Sequence, residues 1–106
     1  MNEPEPVYLG AFQPMKRGDI LDRYIDISAD LVSARGETIE TATFTVTAAG
    51  SEDPIMAVAE GSVRITGGRV DFQLTAPEIP GTYRMIVVFT ISDGQRITKT
   101  ATFDVV

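Results

Sequence analysis

From about residue 22 onward the chain alternates apolar and polar positions with a period of two, the pattern of strands that bury one face and wet the other. In residues 69–75 the alternation is complete, with Val70, Phe72 and Leu74 in one set and Arg69, Asp71, Gln73 and Thr75 in the other. Residues 41–47 set Ala42, Phe44 and Val46 inward and Thr41, Thr43, Thr45 and Thr47 outward, and threonine's branched Cβ suits an exposed, pleated surface. With residues 24–27, 55–59, 62–66, 82–91 and 95–105, the pattern predicts about seven strands. No segment sustains a 3.6-residue period. Ile20, Tyr24, Ile27 and Leu31 fall near helical spacing, but the β-branched Ile25 and Ile27 disfavour a helix there.

Face parity selects the turns, because residues directly opposite in an antiparallel pair share a face of the sheet. A two-residue loop at Gly67-Gly68 pairs Ile65 with Val70 and Val63 with Phe72, and sets Arg64 opposite Asp71 as an exposed ion pair. Two glycines match a type I′ turn, which needs positive φ at both central positions. At Asp93-Gly94 a two-residue loop would oppose Ile91 to Arg96 and so mix the buried face with the wet one. A three-residue loop, Ser92-Asp93-Gly94 with Gly94 left-handed, instead pairs Phe89 with Ile97, Met85 with Ala101 and Tyr83 with Phe103. Between the hairpins Pro77 and Pro80 cannot donate ladder hydrogen bonds, so the chain crosses there to a second layer. Gly81-Thr82-Tyr83, opening the longest apolar strand, resembles the tyrosine corner of immunoglobulin-like sandwiches. The expected fold is all-β, an immunoglobulin-like antiparallel β-sandwich of about seven strands with an extended N-terminal arm; a small jelly roll or open barrel is the alternative.

The first sixteen residues break the pattern. They hold Pro4, Pro6 and Pro14 and read as an extended arm, residues 1–16, ahead of a sandwich domain over residues 17–106. The apolar piece Val7-Tyr8-Leu9-Gly10-Ala11-Phe12 is too hydrophobic for a solvated tail, so it is expected to dock on its own domain or on a neighbour. The opening Met1-Asn2-Glu3-Pro4-Glu5-Pro6 is acidic, where a signal peptide is basic and then apolar. The longest apolar runs, residues 55–59 and 85–89, are too short to span a bilayer.

Composition adds most through what it omits. The 106 residues contain no His, Cys or Trp, which removes Ser-His-Asp and Cys-His catalysis, thiolate nucleophiles, cysteine-held metal sites and disulfides. No catalytic, cofactor-binding or metal-binding residue is nominated, and no cofactor is expected. Nine basic residues against fifteen acidic ones give a net charge of -6. With two Lys and seven scattered Arg, this balance argues against a nucleic-acid partner, since phosphate binding needs a basic cluster.

Asp19, Asp22, Asp26 and Asp30 recur along one segment, but they match no EF-hand spacing and read as a solvated strand edge. Arg17-Gly18-Asp19 spells an adhesion tripeptide, yet a turn before the first strand explains its Gly and Asp equally well. Residues 82–91 are anomalous: besides the inward Tyr83, Met85, Val87, Phe89 and Ile91, the opposite face shows Ile86 and Val88, as if covered by another chain or by the arm. Lys99 falls at an inward position opposite Val87, where a lysine usually runs its stem along the core and surfaces its amine.

Several short stretches together resemble the phage fibre-tail adaptor family. They are Asp22-Arg23-Tyr24-Ile25-Asp26-Ile27 followed by Leu31, Gly36-Glu37-Thr38-Ile39 leading into Ala42-Thr43-Phe44-Thr45-Val46, Gly81-Thr82-Tyr83, Ser92-Asp93-Gly94 and Phe103-Asp104-Val105. The resemblance runs from about Leu9 to the C-terminus. It implies a small, non-enzymatic virion structural protein with an immunoglobulin-like fold, a tail, neck or fibre-tail component made in the bacterial cytoplasm. Its implied partners are other virion proteins and copies of itself, with neither nucleic acid nor membrane. Val7, Tyr8, Leu9 and Phe12 of the arm, with Ile86 and Val88, are the expected joining surfaces. The other readings are an immunoglobulin-like binding module of a surface or secreted bacterial protein, and a capsid decoration protein.

Overall fold

The computed structural model describes residues 7–11, 14–31 and 36–106. Among them are eight strands: β1 (Val7–Ala11), β2 (Ile20–Asp26), β3 (Ile39–Ala48), β4 (Pro54–Ile55), β5 (Arg64–Thr66), β6 (Arg69–Thr75), β7 (Gly81–Ile91) and β8 (Arg96–Val105). They form a five-stranded sheet in the order β1-β8-β7-β3-β4 and a three-stranded sheet in the order β2-β6-β5. β1 runs parallel to β8 and the other ladders are antiparallel. This is the expected immunoglobulin-like sandwich. The strand expected over residues 55–59 is shorter, ending at Ile55 with one isolated bridge between Val58 and Leu74. The segment with helical spacing is β2 followed by a 3-10 turn, Ser28–Asp30.

The alternation read from the sequence sorts the core. Tyr83, Met85, Val87, Phe89 and Ile91 of β7 and Val70, Phe72 and Leu74 of β6 are all buried. Phe44 of β3 meets Phe72 across the sandwich at 4.7 Å between ring centroids. Thr47, expected on the wet face, is buried instead, because β4 covers the end of β3 there through the pair Thr47 and Pro54. Met15 is buried too, and it pins the chain to the end of β8: its N–H donates to the Asp104 carbonyl at 2.9 Å, and its carbonyl accepts from Val106 N–H at 2.8 Å.

Both hairpins keep the expected strand registers. Phe89 opposes Ile97, Met85 opposes Ala101 and Tyr83 opposes Phe103, with Gly94 at φ +93° closing the three-residue loop. In the β5–β6 hairpin Ile65 opposes Val70, but the turn type needs correction: Gly67 alone has positive φ, at +59°, the sign pattern of type II′. Gly68 is required for space. A Cβ on it would lie 2.6 Å from Ser28 Oγ and 3.0 Å from Ser28 Cα, because the 3-10 turn crosses directly over the hairpin. The crossing is fastened by Ile27 N–H donating to Gly68 O at 2.8 Å and Ile39 N–H donating to Gly67 O at 2.9 Å.

The ion pair expected between Arg64 and Asp71 does not form, although the two residues are opposite in register. Arg69 takes the carboxylate through both Nε and Nη2, the latter at 2.8 Å, while Arg64 turns to the carbonyls of Gly61 and Val63. A planar guanidinium stacked 4.1 Å over the Tyr24 ring is already oriented for that two-point contact. The tyrosine corner is present: Tyr83 Oη donates to the Ile79 carbonyl at 2.5 Å, tying the crossover to the start of β7. Lys99 also departs from expectation. Its side chain is 4% exposed and its ammonium does not surface; it pairs with Asp30 Oδ2 at 3.0 Å under the 3-10 turn, Asp30 itself being 41% exposed. Lys99 sits on β8 in register with Val87 of β7 on the inward face, where the 3-10 turn brings the Asp30 carboxylate to it.

Four substitutions test these contacts by urea denaturation at constant m-value. Tyr83→Phe should cost about 1 kcal/mol, the net worth of one hydrogen bond. Gly68→Ala should cost about 1–3 kcal/mol from overpacking against Ser28, and a neutral result would mean that the 3-10 turn yields freely. Lys99→Met should be neutral or stabilising, whereas Asp30→Ala should cost about 1–3 kcal/mol, less than a fully buried pair loses because Asp30 is partly hydrated.

Candidate functional site

The outer face of the five-stranded sheet is built from the second set of each alternating strand. On β7 this set includes Ile86 and Val88. Thr45 and Thr100 flank Ile86 in register, and Thr43 and Thr98 flank Val88. Both aliphatics are half-buried, since the neighbouring threonines cover their sides. These six residues form a neutral, pleated patch whose charges lie at its ends, on Arg84 and Asp104 toward one end and Arg96 toward the other. At the first end Thr82 Oγ1 donates to Asp104 Oδ1 at 2.7 Å.

The arm residues fall beside this patch. β1 pairs Val7 with Lys99 and Tyr8 with Thr100, so Tyr8, Thr100 and Ile86 occupy one row across three strands. The register then slips between Tyr8 and Gly10, and Leu9 sits at that irregularity. Phe12 lies outside the described residues. The apolar piece of the arm thus docks on its own domain, in the part the structure describes, as a parallel edge strand.

The four aspartates are not brought together. Asp19 shapes the turn of the Arg17-Gly18-Asp19 tripeptide: its Oδ2 accepts Lys16 N–H at 3.1 Å and its carbonyl accepts Ala76 N–H at 2.8 Å. Asp22 is exposed on the outer side of β2. Asp26 Oδ1 accepts Ser28 N–H at 2.8 Å and so starts the 3-10 turn. Hydrogen bonding from Ser28, assisted by the positive charge of Arg69, holds the Asp26 carboxyl below the usual carboxylate range. Asp30 is committed to Lys99. Among the described residues no group of three or more acidic side chains is placed to hold a metal ion.

A second feature was not legible in the sequence. The free side of β3 is covered by β4 only at Val46 and Thr47, and beside the uncovered stretch runs a groove of about 340 Å³ lined by Ala42, Phe44, Val46, Ile55, Met56 and Val58 among others. Its trace in the sequence is the apolar run at residues 55–59, whose pattern predicts a strand rather than a groove wall.

Comparison with known proteins agrees with this architecture. Solved structures that resemble it include a 2,6-sialyltransferase from Photobacterium sp. JT-ISH-224 crystallised with CMP and lactose, at TM-score 0.58 and 9% identity. That similarity covers 98% of this chain but 19% of the enzyme, so the chain spans about a fifth of its length, and the likeness concerns fold alone. The titin M4 domain is similar at TM-score 0.46 and 15% identity over 94% of this chain and 91% of that one. A chimeric titin Z1Z2 is similar at TM-score 0.46 and 20% identity over 92% and 87%. No curated protein sequence matches the chain. One family profile does, over residues 15–104, which runs from the buried Met15 through Asp104 of the last strand. The chain therefore belongs to the family of the podophage GP4 fiber-tail adaptor protein gp77.

Proposed function

We propose that the protein is a non-enzymatic adaptor of the phage virion, held in several copies at the tail or neck and joined there to tail, neck or fibre proteins. The observation that carries this reading is the family match across the whole sandwich, residues 15–104. Two features of the molecule support it. The outer face of the larger sheet offers neutral, partly apolar surface at Ile86 and Val88, of the kind that assemblies use. Val7, Tyr8 and Leu9 lie in an edge strand, whose outer backbone groups have no strand partner among the described residues. In this reading residues 1–16 act as an arm and residues 17–106 as the domain, with Val7, Tyr8, Leu9, Phe12, Ile86 and Val88 at the joints.

Disruption of the gene in the parent phage should yield particles that lack fibres, and the wild-type protein should be found in purified particles at more than one copy per tail by quantitative mass spectrometry. The double substitution Ile86→Lys and Val88→Lys should reduce incorporation at least tenfold while the free domain melts within a few degrees of wild type. It is a cleaner variant than deletion of the arm, which would also strip β1 from β8. Particles that carry their fibres without this protein would overturn the adaptor role, and full incorporation of the double variant would overturn the joint at Ile86 and Val88.

A further inference from the structure

The five-stranded sheet is finished unevenly along β3. Val46 and Thr47 have β4 on their free side and are 2% and 6% exposed. From residue 41 to residue 45 the same side has no strand partner among the described residues. There Thr41, Thr43 and Thr45 are exposed, and the inward Ala42 and Phe44 are only half-buried. β4 stops after Ile55 because the chain turns away, leaving Met56 92% exposed at the lip of the groove. Five residues of strand thus lack the neighbour that completes the next two.

The contrast with β2, the edge of the smaller sheet, is informative. Arg23 shares the inward face of β2 with Leu21 and Ile25, and its Nε is buried without a hydrogen-bond partner. Asp22 and Asp26 stand on the other face. Charge pointed inward from an edge strand, or set along it, is how a sheet refuses an incoming strand. Residues 41–51 carry no charge at all. The exposed Glu40 stands at the start of the open stretch, while Glu52 and Asp53 lie in the loop beyond Ala48, past the two residues that β4 covers.

We propose that residues 41–45 are a strand-addition site, completed by one extended segment of a partner virion protein that continues the line of β4. Taking the segment from a virion protein rests on the adaptor reading. An edge of unpaired backbone groups takes an extended chain by main-chain hydrogen bonds, with alternate side chains entering pockets on one face. The groove beside Ala42 and Phe44 receives apolar side chains at every second position of the incoming segment, and the exposed Glu40 selects a lysine or arginine at the flank beside it. A second copy of this chain fits less well. Two β3 strands laid side by side in parallel place Glu40 beside Glu40, laid antiparallel they set Glu40 of one copy where β4 already covers Val46 of the other, and each copy carries a net charge of -6.

Hydrogen–deuterium exchange on the free protein and on purified particles tests the site. Those backbone amides of residues 41–45 that do not already donate to β7 should exchange at least tenfold more slowly in particles. Ala42→Lys reproduces on β3 the inward charge that Arg23 supplies on β2, and Met56→Lys places a cation on the groove's exposed lip at no risk to the fold. Each should leave the melting temperature within a few degrees of wild type and lower fibre occupancy at least tenfold. Equal exchange at residues 41–45 in the two states, or full occupancy with both variants, overturns the proposal. Protection already present in the free protein, together with a dimer mass by light scattering, overturns it in favour of a second copy. If the wild-type protein is absent from particles, the adaptor reading fails by itself. The edge is then decided by NMR titration with a synthetic peptide of alternating Val and Thr bearing Lys at both ends. Amide shifts confined to residues 41–45 support strand addition, and no shifts there overturn it.

Discussion

The structure depends on β7. It is the longest strand, it has a full partner on each side, and it contributes five consecutive inward residues to the core. Each such side chain, once buried, contributes about 1.5–3 kcal/mol through removal of apolar surface from water. A one-residue slip of β3 or β8 against β7 would turn its core set outward, so the register of the whole five-stranded sheet is fixed by that strand's alternation. The tyrosine corner sets where β7 begins, through Tyr83 Oη on the Ile79 carbonyl, and the stack of Tyr83 on Phe103 at 5.4 Å holds the same end of β8. Everything else is arranged around this frame: β6 packs over it from the second sheet, and the 3-10 turn closes its flank by holding Asp30 over Lys99.

What the sequence revealed follows the range of the interaction that decided each feature. The registers of both hairpins were legible because they rest on parity between residues near in sequence. The turn at Gly67-Gly68 was not, because a glycine pair satisfies more than one turn type, and the deciding contact is with Ser28, forty residues away. Lys99 was legible as an inward lysine but not as a paired one, since Asp30 approaches from another part of the chain. The arm's apolar piece was visible as something that must dock, while its parallel pairing with the last strand lies beyond any local pattern. Off-parity Ile86 and Val88 were readable for the same reason as the hairpins. The open side of β3 was not, because whether a strand has a neighbour is a property of topology and leaves no trace in that strand's own alternation.

The two outer faces of the sandwich divide the charge. The smaller sheet carries Asp22, Asp26, Arg64, Arg69 and Asp71 along its strands, with Tyr24 covered by the Arg69 guanidinium. The larger sheet shows threonines, Ile86 and Val88 over its centre and keeps charge to the strand ends. Removing a hydrated charge from water costs far more than removing a threonine or an aliphatic side chain. A partner that buries the neutral face therefore meets a smaller desolvation cost than one that buries the charged face. The same ordering holds for the edges, where β2 turns Arg23 inward and residues 41–45 of β3 carry no charge.

Taken together, face and edge point in one direction. The neutral patch and the open stretch of β3 belong to the same sheet and meet at Thr43 and Thr45, which flank Val88 and Ile86 and also line the unpaired side. A segment added to β3 would extend the patch by one strand without interruption, so contact with the face and pairing at the edge would reinforce each other. The charged sheet, facing the opposite way, would remain in water, so its carboxylates and guanidiniums would keep their hydration. The alternation that builds the core thus also leaves one outer face of the sandwich neutral at its centre and the other charged.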